Sequence, residues 1–276
     1  MGEWSDLKAE LEAWRRRGRR AAFWWRDDDA VETTPALERL LGLAGRHGVP
    51  LMLAVIPARA TPGLVERLAR GRAGAGAGPG VVPVQHGFAH RNHAPAGERK
   101  WELGTHRPLA EVLEELARGR ARMAALFGPD WCPVLVPPWN RIAPEVTAEL
   151  GALGYSGLST LGPRAAPWAC PGVRQVNTHL DIMRWAAPRG FLGTAPALAQ
   201  VTAHLKARRD GTADPEEPTG ILTHHLAHDA EAWDFLDRLL GTLRAHPAAV
   251  FEEPRALIEA APGCAGPGMP DTRGAA

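Results

Sequence analysis

The chain has almost no lysine: Lys8, Lys100 and Lys206 are its only ones, and arginine carries nearly all the positive charge. Alongside 30 glycines and 25 prolines this reads as GC-rich coding bias rather than as function. Cysteine is scarce too. Cys132, Cys170 and Cys264 form no CxxC pair, which excludes a disulfide framework and a thiolate zinc site. A net charge of +1 leaves no global field to draw nucleic acid or an acidic membrane surface. No apolar run approaches the length of a membrane span. The N-terminus is charged and amphipathic, without an apolar h-region or a small-residue cleavage site. The expectation from these absences is a soluble cytoplasmic protein, with neither nucleic acid nor membrane as a partner.

What is present is a regular alternation of strand and helix patterns. Ser5 to Arg20 reads as an amphipathic helix with Leu7, Leu11 and Trp14 on one face; the arginines crowding its end could form an anion patch, but a solvated C-terminal face is the expectation. Ala21 to Trp25 is the first strand. A helix follows from about Thr34 to His47, stopped by Gly48. Further strands are expected at Leu51–Ile56, Val81–Val84, Pro133–Val136, Gly157–Thr160, Val173–Asn177, Gly220–Thr223 and Ala249–Glu252. The intervening helices are expected at Pro62–Arg72, Leu109–Phe127, Ala143–Leu153, Pro196–Arg209 and Ala230–Arg244, with a short one closing near Ala260. Gly71 to Gly80 reads as a flexible loop. Such alternation argues for a parallel α/β architecture, and the strand count for a distorted (β/α) barrel of about seven strands, with a doubly wound open sheet as the alternative. One domain would span 1–262, residues 1–20 would be a helical extension, and 263–276 a disordered tail.

Three polar clusters follow apolar runs. The first is Asp27-Asp28-Asp29, three like charges that a fold keeps only where something offsets their repulsion. A cation would do so; a helix cap with solvated neighbours is the plain alternative. The second is His86 and His90, four apart, a spacing that lets two imidazoles share one ion. With a carboxylate they suit zinc with an open position, or non-haem iron. His93 and His106 read as bystanders. The third is His224-His225 with His228. A strand-end histidine can donate and accept protons near neutrality, and the His224/His228 spacing leaves a second metal site open.

Taken together these clusters resemble the polysaccharide deacetylases of carbohydrate esterase family four, the NodB-like fold. Asp28-Asp29-Ala30 is similar to that family's Asp-Asp-Gly motif, and His86 and His90 to its His-x-x-x-His. Val136-Pro137-Pro138-Trp139 is similar to Arg-Pro-Pro-Tyr, Asp181 to Trp185 to Asp-x-x-Asp-Trp, and Leu222 with His224 to Leu-x-His. The resemblance implies a divalent metal, zinc first with iron, cobalt, nickel or manganese as alternatives, held by Asp29, His86 and His90. It implies Asp28 as general base, the backbone of Trp139 as oxyanion donor, and His224 as general acid. Trp185, Pro138 and Asp181 would touch the substrate. The implied activity is removal of N-acetyl or O-acetyl groups from a sugar, glycan or sugar conjugate, and the missing export signal argues against a cell-wall polymer. A non-catalytic protein that binds a glycan or metal through the same cleft is the alternative. A glycosidase ranks last, because no second carboxyl stands out across a sugar ring. Two departures stand out: Val136 replaces the arginine that pairs with the base, and Arg184 replaces the carboxylate that orients the acid histidine. Arg26 or Arg141 could supply the first, Asp181 the second. The triple Asp leaves Asp27-Asp28 open as the pair. Oligomeric state is not specified.

Overall fold

The structure, a computed structural model, describes residues 3–72 and 80–259. Most of the glycine-rich loop, Cys264 and the 263–276 tail lie outside the described residues. The helices are α1 Glu3–Arg16, α2 Pro35–His47, α3 Pro62–Arg72, α4 Leu109–Phe127, α5 Pro144–Ala148, α6 Thr194–Asp210 and α7 Ala230–Ala245. The strands are β1 Ala21–Ala30, β2 Leu51–Val55, β3 Val81–His86, β4 Val134–Val136, β5 Gly157–Leu158, β6 Trp168–Cys170, β7 Val173–Gln175, β8 Leu180–Asp181, β9 Met183–Arg184, β10 Gly190–Phe191, β11 Thr219–Thr223 and β12 Ala249–Phe251.

Local chemistry sets the best-defined elements. In α2 the Thr34 side chain accepts from the Leu37 amide, Pro35 opens the helix, and Gly48 closes it at φ 61°. In α7 the Asp229 side chain caps through the Ala232 amide. Three expected helices depart from their patterns, the first ending at Arg16 rather than Arg20, where Gly18 (φ 64°) turns the chain. The segment after Ala143 is helical only to Ala148, because Gly151 and Gly154 (φ 80°) turn the chain out of the helix. The stretch beyond Pro254 is a run of turns rather than a helix. β6, β8, β9 and β10 escape the sequence pattern because two or three residues are too few to show an alternation.

The main sheet runs in the order β6-β7-β5-β4-β3-β2-β1-β11-β8, and β12 pairs with the first residues of β1. All its pairs are parallel except β6 with β7. The expected closed barrel of about seven strands is therefore corrected to a curled, open mixed sheet that resembles a distorted barrel. The strands that would complete the ring, β5, β7 and β8, are two to three residues long, too short for an unbroken ladder.

The curl gives the sheet an inner and an outer face. Outside, Phe23, Trp25, Leu51, Leu53 and Val55 pack against Leu7, Leu11 and Trp14 of α1 and against α2, α6 and α7. Inside, Trp24, Met52, Ala54, Val82, Val84, Val134 and Val136 form a second cluster. Side chains alternate along a strand, so β1 sends Trp24 inward, then Arg26, then Asp28. Trp25 and Asp27 go outward. That alternation delivers charged groups to the inner face at the C-terminal end of β1.

Candidate functional site

β1 carries a register shift against β2 between Asp27 and Ala30, and Asp29 sits at φ 73°. A regular strand would turn Asp29 outward with Asp27. The left-handed residue re-aims it, so neighbouring carboxylates Asp28 and Asp29 reach one cavity. Bulges commonly re-aim side chains next to functional sites. The register question is thereby answered in geometry. Asp27 is fully buried on the outer face, where its carboxylate accepts from the Thr223 hydroxyl, the His225 amide and the His225 ring. Burial pushes the Asp27 carboxyl up, but His225 and Thr223 outweigh it and leave it below its ordinary value.

Arg26 makes the carboxylate contact that Val136 cannot. Its Nε and a terminal nitrogen fork onto both oxygens of Asp28 at 2.9 and 3.1 Å. Its remaining donors reach the Ser159 carbonyl and hydroxyl and the Asn140 side chain. All five N–H groups are thus used, and both partners are buried. The source is two residues along the same strand, on the same face, rather than a distant loop. Arg141 instead stacks on Trp101.

Asp29, His86 and His90 have ligand-type atoms that all lie within 4.8 Å of one another. Asp29 Oδ1 is 3.2 Å from His86 Nε2 and 3.3 Å from His90 Nε2, yet it is buried without a hydrogen-bond partner. His86 Nδ1 lies 2.9 Å from the Val136 carbonyl, which can only accept. A proton therefore belongs on Nδ1, and whenever the ring is neutral its Nε2 lone pair faces a carboxylate oxygen. Two acceptors face each other, and a cation between them resolves the repulsion. The donor set of one carboxylate and two imidazoles fits a divalent metal. Burial lowers the His86 imidazole, but Asp28 and Asp29 outweigh it and raise it. Burial and the adjacent His86 lower His90.

The loop that carries the two histidines is clamped by a residue the sequence did not single out. The buried Glu102 carboxylate accepts from the amides of Phe88, Ala89 and Arg91. Gly87 (φ 53°) has to be glycine, since a Cβ there would lie 1.9 Å from Glu102 Oε2. His90 is itself left-handed at φ 56°. No local pattern announces Glu102; its partners lie 11 to 14 residues away.

A cavity of about 610 Å³ opens over this group, lined by Asp28, Asp29, His86, His90, Trp139, Asp181, Trp185 and His224. Asn92, Lys100, Asn140, Leu161 and Arg189 also line it and were not expected. Pro138 is not in the wall; it is buried against the backbone of Gly87. Trp139 stands edge-on to His90 at 4.5 Å, and Trp139 and Asn140 are consecutive left-handed residues. His224 Nε2 is 3.9 Å from Asp28 Oδ2, and its ring meets Trp185 edge-on at 4.6 Å. Asp181 does not orient His224. It spends one oxygen on the Met183 amide and the other on Trp185 Nε1, and His224 Nδ1 is buried with no partner. Burial raises the Asp181 carboxyl. Arg184 is exposed and donates to the Pro188 carbonyl. His224 and His228 do not form a metal group, since the His228 ring accepts from the His224 amide. His93 and His106 also stay out of the metal group.

A second cluster with metal-ligand spacing, His179, His204 and Glu217, is fully buried and was missed from sequence. Its three members come from separate elements and carry no shared motif. The Gly220 amide donates to His179 Nδ1 at 3.0 Å, which puts that ring's proton on Nε2, 3.3 Å from Glu217 Oε2. The His179 and His204 rings stack at 3.4 Å and 13°. Their in-plane lone pairs therefore run side by side rather than converge, and holding an ion would require both rings to turn.

No family model matches the sequence, and no curated protein matches it. Solved structures do. A Mycobacterium smegmatis protein assigned provisionally as a polysaccharide deacetylase is 19% identical, with a TM-score of 0.62 over 87% of this chain and 90% of that one. A peptidoglycan deacetylase from Bacillus subtilis is 12% identical, with a TM-score of 0.51 over 86% and 90%. A polysaccharide deacetylase from Bacillus cereus is 17% identical, with a TM-score of 0.50 over 85% and 92%. These relatives overturn the expectation of a cytoplasmic protein: they include a deacetylase of peptidoglycan, a wall polymer that lies outside the cytoplasm. No helix among the described residues is long and apolar enough to cross a membrane. The chain shares the fold of these polysaccharide and peptidoglycan deacetylases, the NodB-like fold that its motifs resemble.

Proposed function

We propose that the protein is a metal-dependent hydrolase that removes acetyl groups from an N- or O-acetylated sugar, glycan or sugar conjugate. The observation that carries this reading is the unpartnered, buried Asp29 oxygen facing two histidine nitrogens, next to a second carboxylate gripped by an arginine fork. Asp29, His86 and His90 would hold the ion, zinc first among the candidates. Such an ion supplies a Lewis acid and a water acidic enough to ionise near neutrality.

The chain's own groups supply the rest. Asp28 Oδ2 takes the proton from the attacking water, and the Arg26 fork keeps that carboxylate aimed. The backbone N–H of Trp139, on its left-handed turn beside His90, is a donor for the developing oxyanion; one such donor is worth roughly 3 kcal/mol. His224, across the cavity from His90, donates a proton to the leaving amine or alcohol. Trp185 walls the acetyl group off from water, with its indole fixed by Asp181.

A binding-only role is favoured by one observation: among the described residues His224 Nδ1 has no hydrogen-bond partner, which leaves the acid's tautomer uncontrolled. Acetate release from N-acetylglucosamine oligomers and from acetylated xylan, by protein loaded with zinc or cobalt, decides between the two. Turnover that Asp28→Asn abolishes while metal stays bound supports the hydrolase. Bound metal without turnover on either substrate supports binding alone. Failure of Asp29→Ala to lower metal affinity sinks the metal site and both readings with it.

A further inference from the structure

The end of the sheet opposite Asp28 and Asp29 holds a second cavity, of about 380 Å³. It lies beside Ala22, at the start of β1, and Pro218, just before β11. Six residues of strand separate Ala22 from Asp28, roughly 20 Å. Five arginines line it, Arg19, Arg20, Arg164, Arg174 and Arg208, against two glutamates, Glu216 and Glu252. The sequence read the arginines after α1 as a solvated face. That holds for all of them in exposure, Arg15 pairing with Glu12, but the fold also brings Arg19 and Arg20 to the rim of a cavity shared with three arginines from distant segments.

Arg208 is the telling member. It is only 3% exposed, yet no carboxylate among the described residues lies within ion-pairing distance of it. Two of its donors go to the Ala22 and Pro215 carbonyls and one to the Thr219 hydroxyl. Its Nε has no acceptor. Burial pulls its pKa down to about 10. Arg174 Nε is likewise buried and unpaired. Arg164 differs, because Asp214 already neutralises it. A buried guanidinium with no ion-paired carboxylate is costly, and Arg208 keeps a spare donor beside an open cavity where the half-buried Arg174 offers another. Arg19 and Arg208 both stand over the Trp14 ring, at 4.8 and 5.1 Å, which fixes the wall they belong to.

We propose that this cavity binds a small phosphorylated molecule, its phosphate on Arg208 and Arg174 and its entry framed by Arg19 and Arg20. Guanidinium forks match phosphate oxygens in pairs. The volume exceeds a bare phosphate and falls in the range of small-molecule sites. Ala22, Pro218 and Ala256 give the organic part of the ligand an apolar side to lie against. The site differs in place and chemistry from the Asp29 group.

Calorimetric titration of the full chain with pyrophosphate at low ionic strength tests it. The expected result is one saturable site, weakened about tenfold or more in an Arg19→Glu/Arg20→Glu double variant, with Asp29→Asn binding as the unaltered protein does. Because Arg19 and Arg20 are exposed, that double variant keeps the fold. An absence of binding, an affinity the double variant leaves unchanged, or tighter binding of citrate than of pyrophosphate would each overturn the proposal. None of these readouts involves hydrolysis, so the result stands apart from the fate of the deacetylase reading.

Discussion

Among the described residues, two groups of histidine and carboxylate have the spacing of metal ligands, and one of them has the orientation. At the mouth of the sheet, His86 is locked by a backbone carbonyl so that its free lone pair meets an unpartnered Asp29 oxygen. In the interior, His179 is locked the other way, by a backbone amide, so that its Nε2 proton faces Glu217 Oε2 at 3.3 Å without a formed hydrogen bond. One hydrogen bond on the far ring nitrogen separates a ready ligand from a structural link. Glu217 also accepts from the Arg164 and Asn177 amides, so the interior group ties the 164 and 177 segments to the sheet. Distance alone does not identify a metal site; the tautomer does.

The contrast can be broken at several points. The largest effect is expected from Asp28→Asn, which should lower kcat by about 10²–10⁴ with metal still bound, the range for a lost general base. Glu217→Gln should do the reverse, lowering stability and leaving metal affinity at the mouth untouched; metal titration and chemical denaturation of both variants would show it. If Glu217→Gln removes a bound ion, the distinction fails.

Next is Arg26→Leu. It strands a buried Asp28 carboxylate, so unfolding free energy should drop by about 3–5 kcal/mol, as for other broken buried pairs. A loss below about 1 kcal/mol, the scale of an exposed pair, would mean that the fork seen here does not persist. Glu102→Gln keeps the shape but weakens the three amide contacts behind His86 and His90. Metal affinity should fall by about 10–100-fold, as when outer partners of ligating histidines are altered.

The smallest effect is a pH slope. Burial, with His179 and Arg208 nearby, pushes the His204 pKa down to about 2, and burial pushes His228 down to about 4. Each is neutral in the folded chain while the unfolded chain takes up a proton near pH 6.5. The unfolded state therefore binds more protons, and stability falls as pH drops below about 6.5, by at most about 1.4 kcal/mol per pH unit for each histidine. His225, raised by Asp27 against its own burial, has its pH-dependent window above 6.5, so the two effects separate. Urea midpoints between pH 7 and 5 should fall less steeply in His204→Asn. An unchanged slope would remove His204 from the account.

The sequence by itself determined the elements whose causes are local. Thr34, Pro35 and Gly48 bound α2, and the apolar period of Leu109–Phe127 is the helix observed, because caps and periodicity act within a few residues. It also brought forward Asp29, His86 and His90, since ligand spacing within a strand-end loop is itself a local signal. Short closing strands, which make the sheet open, carried no such signal. Tertiary structure alone decided which aspartate turns inward, that Arg26 takes up Asp28, that Asp181 serves Trp185 and not His224, and that five arginines share one cavity. Each depends on a bulge or on partners far apart in the chain, and side chains that meet only when the sheet curls leave no pattern along the sequence.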